Sequence, residues 1–109
     1  RLGMTYENWL AIQPAFRLYR LAVTKVTTRQ PWKLLENADK QGHGIGKYHL
    51  DHVFSVYDGF HGDVDPELVG NIVNLRFIPA DDNLRKHKKS EMTYNQLLEA
   101  YSIQLRSDK

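Results

Sequence analysis

Two short runs rich in β-branched and aromatic residues, Tyr48–Val56 and Ile72–Ile78, read as strands, and little else in the chain does. Between them, Asp58-Gly59, Gly62 and Pro66 punctuate the sequence, so 57–71 reads as a long loop with a turn of helix at Pro66–Val69. Pro79 stops the second run, because its ring removes the N–H that a continuing ladder would need. Helical signals flank the pair. Residues 5–12 form a short helix that ends before Pro14. From Ala15 to Thr28, Phe16, Tyr19, Val23 and Val26 recur at spacings of three and four, which makes one buried stripe and leaves Arg17 and Arg20 facing out. Pro31 suits the first turn of a further helix over 31–39, and Trp9 and Trp32 are read as core residues. Gln41 to Gly46 holds three glycines and reads as a loop. After Pro79, Asp81 or Asp82 caps a polar helix over 82–89. Thr93 and Gln96 have the capping-box spacing, opening a last helix with Leu97, Leu98 and Tyr101 inward. The class is α+β.

A chain of 109 residues holds one domain with a modest core, and 41% hydrophobic and 11% aromatic content suits an ordered protein. No stretch approaches the roughly 18 apolar residues of a membrane span, and none reads as a secretion signal. The chain opens on Arg1 rather than Met, as a piece of a longer protein would. With no cysteine, disulfides and cysteine–zinc clusters are excluded, which is compatible with a reducing compartment. The net charge of +2 is too small to argue for a nucleic-acid partner, but its distribution says more. Asn8–Leu35 carries Arg17, Arg20, Lys25, Arg29 and Lys33 and no acid, and a second basic cluster spans 85–89. Such runs are commonly solvated faces, and they also suit phosphate contact.

Chemistry concentrates in Tyr48-His49-Leu50-Asp51-His52-Val53, Asn74-Leu75-Arg76 and Asp82-Asn83-Leu84-Arg85-Lys86. Over residues 48–90 the chain resembles the HNH, or ββα-metal, nucleases, and most of all their phage and homing-endonuclease members. In that family an Asp-His pair ends the first strand, an Asn lies at the second, and an Asn or His sits on the following helix. The resemblance implies an N-terminal helical part over 1–46, a ββα-metal core over 47–90 made of an antiparallel hairpin and a helix, and a C-terminal helix over 91–109. It implies a metal-dependent DNA endonuclease acting on DNA, expected to be double-stranded, inside a bacterial or phage-infected cytoplasm. His52 is then the general base, since a neutral imidazole is well matched to take a proton from water at neutral pH. Asp51 and Asn83 are oxygen ligands of magnesium or manganese, which retains waters and accepts few protein donors. Asn74 is expected to accept a hydrogen bond from the other ring nitrogen of His52 and so hold its tautomer, or else to pin the loop over 57–71 against the second strand.

His87 follows Asn83 by four residues, on one helical face. It is either a third ligand, which would favour a transition metal, or a phosphate contact. His49 shares a strand face with Asp51 and either assists the metal or fills a groove. Arg17, Arg20, Arg76, Arg85, Lys86 and Lys89 are the expected DNA contacts. Two rival readings remain: a catalytically silent DNA-binding module on the same scaffold, and a helical interaction domain with incidental histidines.

Overall fold

A computed structural model describes residues 5–107, and residues 1–4 and 108–109 of the expected spans lie outside them. The described elements are α1 (Tyr6–Thr28), β1 (Tyr48–His52), α2 (Val56–His61), α3 (Pro66–Val69), β2 (Leu75–Pro79), α4 (Ala80–Lys86) and α5 (Tyr94–Ser107). Single 3-10 turns occur at Trp32–Leu34, Ala38–Lys40 and Ile72–Asn74. The class is α+β, around a two-stranded antiparallel sheet.

The two N-terminal helices expected on either side of Pro14 are one helix. An internal proline removes a hydrogen bond and crowds the preceding turn, at a cost of about 3 kcal/mol. Aromatic packing on both sides of it opposes that cost. Trp9, before Pro14, stacks on Phe16 at 5.7 Å and on Tyr57 at 6.2 Å, and Phe16, after it, meets Phe60 at 5.2 Å. The stripe is otherwise as read: Val23 and Val26 are buried, while Arg17 and Arg20 are exposed. The helix expected over 31–39 is replaced by two 3-10 turns, because Leu35 is extended and Asn37 is left-handed at φ 69°. Leu34 in that segment is 85% exposed. Trp9 and Trp32 are half-buried, the latter against Phe77.

Both strands are shorter than expected: β2 starts late because Asn71 caps the 3-10 turn over Ile72–Asn74, its Oδ1 accepting from Val73 N at 3.0 Å, and β1 ends early at a clamp made by Asn74. Asn74 is fully buried and binds the chain just past β1: its Oδ1 accepts from Phe54 N (2.7 Å) and its Nδ2 donates to Phe54 O (2.9 Å). Phe54 is thereby lost to the ladder and turned into the core. Ser55 then caps α2 by accepting from Asp58 N at 3.0 Å, so a helix stands where a loop was expected. Gly59 inside it permits close packing, since a Cβ there would lie 2.5 Å from Tyr19 Oη and 2.9 Å from Val69 Cγ2. The core gathers Val23, Phe54, Val64, Val69 and Leu97. The Thr93–Gln96 capping box is present in both directions, with Leu97 buried and Leu98 and Tyr101 half-buried.

Register pairs Asp51 with Arg76 and His52 with Leu75. Alternation along β1 sends His49 and Asp51 to one face and Leu50 and His52 to the other. α4 covers the first face, and the end of α1 approaches the second. α4 begins at Ala80 without a side-chain cap, earlier than expected, and Asp81 and Asp82 sit in its first turn, where the helix dipole favours acids. Among the described residues no helix is long and apolar enough to cross a membrane.

Candidate active site

Asp51, at the penultimate position of β1, is 5% exposed, and both of its carboxylate oxygens are engaged. Arg76 Nε donates to Oδ2 at 2.8 Å from the opposite strand. Lys86 Nζ meets Oδ1 at 3.1 Å from α4 and also donates to the carbonyl of His52 at 3.0 Å. Arg76 continues to Glu91, forming a chain of alternating charge, and that hydrogen bond holds the Glu91 carboxyl below its usual range. Lys86 and Arg76 are therefore not the free phosphate contacts the sequence suggests. A buried carboxylate demands compensation, and these two cations supply it. Arg85 pairs with Asp82 at the surface. Arg17 and Lys89 are exposed without an ion pair among the described residues.

His52 ends β1 and lies between α1 and the cleft. Burial pushes its imidazole down from the ordinary 6.5 to about 4; the Asp51 carboxylate opposes that fall and the Lys86 ammonium adds to it. The ring is consequently neutral at pH 7. Its Nε2 lies 3.0 Å from Thr27 Oγ1 on α1. The expected bond from Asn74 to this ring is not formed: besides Phe54, the Asn74 amide donates to Val69 O at 2.8 Å, so all of its described partners are backbone atoms. Asn74 holds the loop that follows Asp51 and His52 and does not orient the imidazole.

Asn83 Nδ2 lies 3.2 Å from His49 Nδ1, which gives His49 a polar partner on α4. His87 does not continue the helical face of Asn83. It is the residue after α4, at φ 53° and ψ −120°, and the chain turns away there. Even so, Asp51, His52, Asn83 and His87 all line one open cleft of about 620 Å³, with Arg20, Lys86 and Lys88 on its walls. Arg20 lies over the Phe16 ring, 5.7 Å from its centroid, and so stands at a fixed place beside the cleft.

Among the described residues no group of three or more His, Cys, Asp or Glu converges as a ready cation cage. The donors in the cleft nevertheless fit a hard divalent ion in kind. One carboxylate (Asp51, held by Arg76 and Lys86) and one amide (Asn83) line the same space, and the Asn83 oxygen has no described partner. Such an oxygen set suits a cation that keeps its waters and shares a substrate phosphate. Lys86 Nζ, 3.1 Å from Oδ1, stands where such an ion would meet the carboxylate. Positive charge already surrounds Asp51, so the ion would enter together with the anion that offsets it.

Thr27 and the Asp51–Lys86 contact are the features of the candidate site that the sequence reading missed. Each left a signal: Thr27 stands inside the apolar stripe beside Val26, and Lys86 lies three residues after Asn83 on the face that meets β1. No family model, curated protein or solved structure matches the chain.

Proposed function

We propose that the chain is a DNA endonuclease of the ββα-metal type, hydrolysing phosphodiester bonds of double-stranded DNA with divalent-metal assistance. The observation that carries the reading is the neutral, tethered His52 beside Asp51 and Asn83 in a cleft with basic walls. The β1–β2–α4 order, with Asp51 and His52 at the end of β1 and Asn83 on α4, supports the same reading.

His52 takes a proton from the attacking water, and the oxygen forms a bond to phosphorus as the bond to the leaving oxygen breaks. Asp51 and Asn83 would hold the cation, with His87 at the cleft edge. When bound, it stabilises negative charge developing on the phosphate and the leaving oxygen. Arg20 and Lys88 attract the strand, and Arg17 and Lys89 extend the basic surface.

Plasmid nicking with magnesium or manganese, against the same reaction in EDTA, tests the proposal. His52→Ala should lower the rate by roughly 10²–10⁴-fold while DNA binding persists. Equal cutting in EDTA removes the metal, and an unaffected His52→Ala rate removes the base. A second reading, a catalytically silent DNA-binding module, is favoured by the double pairing of Asp51. Salt-sensitive binding with no cutting under any metal would establish it.

A further inference from the structure

We infer that Thr27, on the last turn of α1, is the positioning residue that sets the tautomer of His52, leaving Nδ1 as the nitrogen that accepts a proton. Thr27 is 6% exposed, and its Oγ1 has two neighbours: His52 Nε2 at 3.0 Å and the carbonyl oxygen of Gly70 at 3.3 Å. A hydroxyl has one proton to give, and a carbonyl can only accept. The proton therefore goes to Gly70 O, and the hydroxyl oxygen accepts from His52 Nε2–H. In a neutral imidazole, a protonated Nε2 makes Nδ1 the basic atom. Nδ1 has no partner among the described hydrogen bonds, and the ring lines the cleft with Asp51.

The relay is held in place at both ends. Gly70 packs so closely on α1 that a Cβ there would lie 2.7 Å from Val26 Cβ and 2.8 Å from Val23 O. Its carbonyl is thus fixed against the turn that carries Thr27. Threonine on a helix divides between two χ1 rotamers, and the one adopted here directs Oγ1 at both neighbours, whose contacts hold it there. The helical segment, which lies outside the stretch resembling the nuclease family, in this way completes the site on β1.

The consequence for turnover rests on the nuclease reading, whereas the tautomer does not. The test uses the full chain labelled with ¹⁵N, in metal-free buffer at pH 7, with His52 read by long-range ¹H–¹⁵N correlation. Wild type and Thr27→Ser should show Nε2–H alone, and Thr27→Val, isosteric but lacking the hydroxyl, should show both tautomers. Single-turnover cleavage by Thr27→Val should fall about 10–100-fold, by analogy with the groups that orient metal-ligating histidines, with DNA affinity unchanged and with rescue by Thr27→Ser. Nδ1–H in the wild-type spectrum overturns the inference even if Thr27→Val does not fold, and so does an unchanged tautomer in a folded Thr27→Val. A wild-type protein that shows Nε2–H and never cuts DNA removes the nuclease reading and leaves the Thr27 contact standing.

Discussion

Acid should destabilise this fold through His52, over a pH window that the structure defines. The buried ring holds no proton in the folded chain until about pH 4, whereas in the unfolded chain it takes one near 6.5. Between those values the unfolded state binds more protons, so stability falls as pH falls from 6.5 towards 4. Each pH unit of that gap corresponds to about 1.4 kcal/mol, so the loss attributable to His52 is on the order of 3 kcal/mol. Carboxylates also titrate in acid, and a comparison isolates the histidine. His52→Gln has a side-chain amide that can donate to Thr27 but takes no proton. Urea unfolding of both proteins, in chelator from pH 8 to pH 4, should give curves that run parallel above 6.5. Below it, wild type should fall relative to the variant by about 3 kcal/mol, a large part of a marginal domain's total. Curves that stay parallel down to pH 4 would refute the reasoning, because His52 would then titrate as a solvated imidazole.

Asn74→Ala strips three backbone partners of their bonds inside the core, so stability should drop by about 3 kcal/mol or more in urea unfolding, while the cleavage rate per folded molecule stays near wild type. A stable variant with slow turnover would return Asn74 to the mechanism. Lys86→Met keeps the buried stem and removes the ammonium. Asp51 retains Arg76, so the cost should fall below the roughly 3–5 kcal/mol of a fully broken buried pair, and calorimetry should register tighter manganese binding without DNA. Unchanged or weaker manganese binding would mean that Lys86 does not guard the carboxylate. Replacing Arg17 and Arg20 together by Gln should weaken binding to all DNA sequences alike, with the slope of log K against log salt flattened by about 0.9 for each lost contact. Altered sequence preference at constant slope would make them base readers.

What could be read in the sequence was what depends on neighbours in the chain. The α1 stripe and the Thr93–Gln96 box follow from spacing of three or four residues, the glycine loop and the turn at Pro66 from local Gly and Pro content, and each appears in the fold. The errors occur where distant residues overrule that local signal. Pro14 should end a helix, yet Trp9 and Phe16 both gain aromatic partners on α2 only if the helix continues. Val53–Val56 has strand composition, yet the Asn74 clamp and the Ser55 cap divert it. His87 has the spacing of a helical ligand, but the chain leaves the helix at that residue.

The same distinction separates the parts of the site that were legible from those that were not. Residue types at the end of a strand and on the next helix can be matched by order to a family pattern, and the resemblance to the ββα-metal nucleases is how Asp51, His52 and Asn83 come to be named. Their electrical state cannot. Asp51 is paired by residues 25 and 35 positions away in the chain, and His52 is tethered by one 25 positions before it. These partners decide whether the carboxylate is open to a cation and which imidazole nitrogen carries the proton. Asn74 illustrates the point most sharply, because an amide between two strands could serve either the ring or the backbone. Burial decides between them. At 0% exposure every donor and acceptor must be satisfied, and the Phe54 and Val69 backbone groups lie within 3 Å, whereas the His52 ring already has Thr27. The tether therefore comes from α1, which places part of the proposed active site in the helical segment that the family resemblance does not cover.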